Sequence, residues 1–216
     1  MSEEQAPTGI SARLTAQQAV YFYGVARART WRGGRVAGIE GDILRVRYRD
    51  LEALVRAVPY EVPGLDDALV QAHQRVVESA MRRGTVLPMP YGIVFRGRRQ
   101  LIRLLQEQYL VLDEGLSLLE GNWELRLHIA VAGVHEPDLE LSDLAMQLYS
   151  ELRSHARAAV PFAAEGKRLL SAAFLVDRGA WIDFMDRAED LGNAHPEIVF
   201  DITGPWPPYD FVHVTA

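Results

Sequence analysis

The sequence contains no cysteine. Disulfides, thiolate metal sites and cysteine nucleophiles are thereby excluded. It has a single lysine, Lys167, so arginine supplies nearly all of the 23 basic side chains. Arginine pairs carboxylates through two donors at once and stacks on aromatic rings, which lysine does poorly. No run approaches the roughly 18 consecutive apolar residues of a membrane span, so no membrane partner is expected. The opening stretch "MSEEQAPTGISARLTAQQ" is polar and has no apolar h-region. It does not read as a secretory signal, and it is expected to stay flexible outside any core. A cytoplasmic location follows as the expectation. The net charge of −6 argues against general binding of nucleic acid.

Catalytic and cofactor motifs are equally scarce. Around "EGKRLL" the residue after Lys167 is Arg168, where a phosphate loop needs Ser or Thr, and the spaced glycine is missing. The glycines at 33 and 34 lack dinucleotide-binding spacing and read as a turn between strands. Histidines stand at 73, 128, 135, 155, 195 and 213 without metal-ligand spacing. No serine sits in a G-x-S-x-G elbow. The paired carboxylates Asp66-Asp67 and Glu189-Asp190 fall near helix ends or on outer faces, where dipole compensation explains them. No catalytic residue, cofactor site or metal site is therefore assigned, and an enzyme is not expected.

What is present suits a folded protein. Of 216 residues, 49% are hydrophobic and 24% charged, enough for one large domain or two small ones. "AVYFYGVARA" (19–28) is aromatic and β-branched, the mark of a buried strand. "ILRVRYR" (43–49) alternates, with Leu44, Val46 and Tyr48 on one side and Arg45, Arg47 and Arg49 on the other. From Leu65 the period becomes helical, through Leu69, Ala72, Val76 and Ala80. "TVLPMPYGIVF" is held to a sheet edge by its prolines. A long leucine helix is expected near 98–119, closed by Gly121.

The second half repeats this alternation. "WELRLHIAVAG" (123–133) reads as a strand. Ser142 is expected to cap a helix, "RLLSAAFLV" to be a central strand apolar on both faces, Asp177 to cap another helix, and "EIVFDIT" to be the last strand. The fold class is thus α+β: two small domains, each a mainly antiparallel sheet with helices on one face. The expected boundary lies near Glu120–Asn122, dividing residues 1–120 from a ferredoxin-like domain, residues 121–216, with a C-terminal extension.

Two features stand out. Arg45, Arg47 and Arg49, with Arg96, Arg98 and Arg99 as possible neighbours, form either a patch for a protein partner or a solvated face. Then "ITGPWPPYDFV" (202–212) packs three prolines, a glycine and three aromatics into eleven positions. Gly204 frees the chain to turn. Pro205, Pro207 and Pro208 restrict the backbone before and at themselves. Trp206, Tyr209 and Phe211 offer large apolar surfaces to bury. The segment reads as a structural clasp folded back on a core, with a preformed binding edge as the alternative.

Four segments together resemble the gas vesicle protein GvpF/GvpL family. They are "VYFYGVARA", "VLPMPYGIVF" with its leucine helix, "LLSAAFLVDRGAWIDF", and above all "TGPWPPYDFV". Tyr91 stands where many relatives carry phenylalanine, and "NWELRLHIAVAG" departs further from the family pattern. The resemblance implies a two-domain α+β protein needed to assemble gas vesicles. It implies contact with the small hydrophobic shell protein and other accessory proteins, and no catalytic residues. Two other readings stay open on the residues alone: a small-molecule enzyme on a ferredoxin-like scaffold, and an RNA-binding module.

Overall fold

A computed structural model describes residues 18–28, 34–36, 39, 41–61, 63–133, 137–163 and 166–212. The polar opening stretch through residue 17, Gly33 of the glycine turn, Glu165, His135 and His213 lie outside the described residues.

Five strands build a first sheet: β1 (Ala19–Arg27), β2 (Leu44–Tyr48), β3 (Leu51–Val58), β4 (Val86–Pro88) and β5 (Val94–Phe95). The order is β2-β3-β1-β4, with β5 also on β1, and every pairing is antiparallel. β1 is apolar on both faces and therefore takes an inner place. Its register shifts between Phe22 and Gly24. The extra residue lets Val25 rejoin Val20 and Phe22 on one face, while Tyr21 and Tyr23 serve the other. Pro88 ends β4, at the sheet margin.

Helices cover both faces of this sheet, not one as expected. α1 (Asp67–Met81) sets Val76, Val77, Ala80 and Met81 against Tyr21, Tyr23 and Leu54. α2 (Arg98–Glu107) and α3 (Tyr109–Leu119) bury Leu101, Leu105, Leu112, Leu116 and Leu119 against Val20, Phe22 and Val46. The reason is that β1 has no polar face to leave in water. The long helix of the sequence reading is broken at Gln108, yet its leucine stripe stays in phase, because Leu105 to Leu112 is one heptad step. Gly115 sits where a side chain would strike Leu87, so α3 lies directly on β4.

The second sheet contains β6 (Asn122–Val131), β7 (Ala158–Phe162), β8 (Arg168–Asp177) and β9 (Ile198–Trp206), with α4 (Leu139–Arg153) and α5 (Trp181–Asn193) between them. The order is β7-β8-β6-β9, all antiparallel. With the chain order β-α-β-β-α-β, this is the split βαβ arrangement. α4 and α5 cover one face through Leu148, Leu152, Phe184 and Ala188. β7 was not anticipated: it is short, alanine-rich and contains Pro161, which only an edge strand tolerates.

Two helix starts also differ from expectation. α4 is capped by Asp138, which accepts the Leu141 N–H at 2.8 Å. Ser142 lies within the first turn, its hydroxyl bonded to the Asp138 carbonyl. Asp138 wins because it stands three residues before a free N–H, the reach a cap requires. Asp177 instead accepts from Gly179 N–H at 2.7 Å, and α5 begins only after Ala180. Likewise Leu65 precedes α1 and is 91% exposed, the cap being Asp66.

The strands of the two sheets divide at Gly121, but the cores do not. Ala173 and Leu175 of β8, and Phe211 beyond β9, join the same cluster as Val20, Phe22 and the α2–α3 leucines. The second sheet thus has α4 and α5 on one face and a core shared with the first half on the other.

Candidate functional site

The arginine row is split by the backbone. Arg45 and Arg47 project from β2 on the face opposite Leu44, Val46 and Tyr48, which pack into the shared core. Arg45 pairs with the buried Glu52 at 3.3 Å. Arg47 Nε donates to the Arg49 carbonyl at 2.8 Å. Arg49 is not in the strand. It holds a left-handed conformation (φ 53°) in the β2–β3 turn, the geometry a two-residue hairpin turn demands. Its guanidinium lies over Tyr109 at 4.9 Å and Tyr48 at 5.5 Å. Arg96 covers Tyr60 at 5.2 Å, and Arg98 and Arg99 open α2, which packs on the other face of β2 from Arg45 and Arg47. The structure therefore brings Arg45 and Arg47 together and leaves the α2 arginines apart from them.

The C-terminal phrase is half strand and half plug. Thr203 to Trp206 continue β9, with a register shift against β6 between Glu124 and Arg126. Gly204 sits at that irregularity with φ 134°, and a side chain there would meet the Glu124 carbonyl and Leu125. Only glycine fits both demands. Trp206 is partly exposed and donates to Thr203 Oγ1 at 3.0 Å. Pro207 and Pro208 are buried, and a 3-10 turn, Tyr209–Phe211, then drives Phe211 (7% exposed) into the shared core. The Tyr209 ring lies 6.3 Å from His73 of α1.

This segment rests on a charged cluster that the sequence reading missed. Glu124 of β6 is fully buried (0% exposed). It accepts from Arg126 Nε at 2.9 Å and from the Asp210 N–H at 3.1 Å. Arg126 also holds the Asp210 carboxylate at 2.8 Å. Burial, and then the nearby Asp210 carboxylate, push the Glu124 pKa up to about 8. Spacing over 80 residues hides such a cluster from any local pattern; the one signal is the pair Glu124 and Arg126 on the face of β6 that alternates with Leu125, Leu127 and Ile129.

Beneath α1 lies a second polar group, also unannounced by spacing. His73 is buried between strand and helix. One ring nitrogen meets the Met89 carbonyl at 2.9 Å and the other the Tyr21 hydroxyl at 2.8 Å. Tyr21 also accepts from the Gly92 N–H at 3.1 Å. Burial lowers the His73 pKa to about 4, so its ring is neutral near pH 7 and its Nε2–H donates to Met89. Tyr21, Tyr23, Tyr91 and His73 stack with centroids 4.8–6.1 Å apart. They line a cavity of about 420 Å³ that also reaches Arg56, Leu69 and Val94.

Among the described residues no group of three His, Asp or Glu side chains gathers as a metal would require. No helix there is long and apolar enough to cross a membrane. Asp66 and Asp67 serve the α1 start, Asp66 accepting the Leu69 N–H at 3.0 Å. His128 bonds Ser171 at 2.8 Å and His195 bonds Glu197 at 3.2 Å, each a local pair.

Fold and site together define a class: an α+β protein of two antiparallel sheets with a shared core, which Phe211 of a proline-aromatic segment enters. The chain belongs to the gas vesicle synthesis protein GvpL/GvpF family, whose pattern it matches over residues 19–142 and 136–213. It is 28% identical over 183 residues to gas vesicle protein F1 of Halobacterium salinarum, covering 83% of this chain and 84% of that protein. It is 29% identical over 185 residues to gas vesicle protein F of Haloferax mediterranei, covering 83% and 85%. The crystal structure of GvpF from Anabaena sp. PCC7120 superimposes with a TM-score of 0.78, at 15% identity, over 92% of this chain and 100% of that one. That last likeness concerns the fold.

Proposed function

We propose that this protein is a non-enzymatic helper or minor shell-associated component in gas vesicle assembly, found at the vesicle and in the cytoplasm. It would contact the small hydrophobic shell subunit and other vesicle accessory proteins. The observation that carries the reading is the family match, which runs through both halves and into the C-terminal segment. Physical chemistry supports it. Subunits of a wall that keeps water out of a gas space carry exposed apolar strands, and these aggregate through edges and patches unless covered. In this reading Arg45, Arg47 and Arg49 belong to a docking face, and residues 204–211 (Gly204, Pro205, Trp206, Pro207, Pro208, Tyr209, Phe211) act as a clasp. The halves 1–120 and 121–216 work as one body through their shared core.

The test is co-purification of the tagged chain with the shell subunit, together with immunoblotting of purified vesicles and deletion of its gene. Retention of the shell subunit, and loss of vesicles in the deletion strain, are expected. No retention with either the shell subunit or any accessory protein, and normal vesicles without the gene, would sink the proposal.

A further inference from the structure

The second sheet ends in an edge that no other described strand covers: β9 pairs with β6 alone. One bond fixes the phase of that ladder. The register sets Ala132 opposite Glu197, and the Ala132 N–H donates to the Glu197 carbonyl at 2.9 Å. Bonded and non-bonded pairs alternate along an antiparallel ladder. Val199, Asp201 and Thr203 therefore bond to β6, while the backbone groups of Ile198, Phe200 and Ile202 point away from the sheet. The Ile198 N–H is taken by the His195 carbonyl at 3.1 Å. The N–H and C=O of Phe200 and of Ile202 have no backbone partner among the described residues.

The other sheet margins carry the usual guards against a further strand. β2 holds Arg45 and Arg47, β4 is three residues ending at Pro88, and β7 contains Pro161. From Ile198 to Thr203, β9 reads IVFDIT, with Asp201 as its one charge. Ile198, Phe200 and Ile202 turn to the core under α4 and α5. Val199 (51% exposed) and Asp201 lie on the opposite face, in water. Asp201 has no ion-pair partner among the described residues. Its neighbour across the ladder is His128, which burial holds below its ordinary pKa and so neutral near pH 7.

We propose that β9 takes an extended segment of another protein as a further antiparallel strand, apolar on the α5 side and basic opposite Asp201. A second copy of this chain fits poorly, because the register that uses Phe200 and Ile202 of both copies sets Asp201 against Asp201. The assignment rests on the assembly reading only for the source of the strand, a vesicle protein with an exposed apolar strand.

The experiment is titration of the peptide acetyl-Val-Thr-Ile-Arg-Ile-Thr-Val-amide into the full chain, read by calorimetry and by amide exchange. Its Arg falls opposite Asp201, and its two Ile opposite Phe200 and Ile202. One saturable site is expected, with slowed exchange at the Phe200 and Ile202 amides. Methylating the backbone nitrogens of the two Ile removes both donors to the edge carbonyls and should weaken binding about tenfold or more. Asp201→Lys changes an exposed side chain and should weaken the peptide about threefold or more, while favouring the version with Glu in place of Arg. No saturable binding, equal affinity of the methylated peptide, unslowed exchange at those two amides, or an unchanged preference in Asp201→Lys would each overturn the assignment. A chain that binds the peptide in this way but retains no vesicle protein would sink the assembly reading and leave the edge assignment standing.

Discussion

Two buried polar clusters, one in each half, are held by opposite means. Under α1, His73 and Tyr21 are neutral and satisfy each other and the backbone. Between β6 and the C-terminal segment, Glu124, Asp210 and Arg126 crowd two carboxylates around one guanidinium. The first solution has no charge to desolvate. In the second, burial and the neighbouring Asp210 carboxylate favour the protonated form of Glu124. A neutral network can fill a cavity floor, whereas a charged one can pin a segment in one register.

The largest expected effect tests whether the halves are one cooperative body at all. Phe211→Ala removes a buried ring from the shared core and should cost about 3–5 kcal/mol. Calorimetry should show one transition, moved to lower temperature as a whole. Two separate transitions, with only one displaced, would mean that the halves melt independently. Trp206→Ala should move the transition less, because its ring is partly in water; a larger shift than for Phe211→Ala would reverse the assignment of the anchor.

Next come the two pH responses, which carry opposite signs. The His73 pKa is lowered from 6.5 to about 4 on folding. Its contribution is therefore complete above about pH 6.5 and lost as pH falls through 4. The Glu124 pKa is raised from 4.5 to about 8. Its contribution is complete below about pH 4.5 and lost as pH rises through 8. His73→Phe should flatten the acid limb of stability against pH, and Glu124→Gln the alkaline limb. Urea midpoints from pH 4 to 9 separate them. An alkaline limb that stays steep in Glu124→Gln would place the titrating group elsewhere.

The smallest effect belongs to the arginines. Replacing Arg47 and Arg49 by Ser, with Arg45 kept because its partner Glu52 is buried, should cost no more than about 1 kcal/mol in total, because exposed contacts and stacks are weak. Binding to the vesicle partners should weaken and lose its salt dependence. Unchanged affinity in a salt titration would return these residues to a solvated face.

Much of this architecture was legible in the sequence, for reasons that can be named. β1, β2, β6 and β8 follow from period two or from continuous apolar runs, and α1, α4 and α5 from their stripes. The α+β class follows from that alternation. What stayed hidden was long-range or compositional. Nothing in "RAAVPF" separates an edge strand from a loop. The leucine stripe runs unbroken across Gln108, so a break in the helix leaves no trace in the pattern. The cluster of Glu124, Arg126 and Asp210 and the meeting of His73 with Tyr209 join residues that only the fold brings near. Period two sets Arg49 on the strand face of Arg45 and Arg47, but that period ends where the hairpin turn begins, and Arg49 does not share the face. Within the terminal phrase, Phe211 reaches the shared core while Trp206 stays partly exposed, a difference that composition alone does not reveal.

Phe211 completes a core whose other members lie mostly between residues 20 and 119. On the ribosome, that first half emerges with a gap in its packing that no nearby residue can fill. It must wait until both sheets and the segment beyond them have been synthesised. Contacts so distant in sequence form late and slowly. Until then the part of this core that Phe211, Ala173 and Leu175 cover in the finished fold has no partner, although Val20, Phe22 and the α2–α3 leucines can already pack on one another.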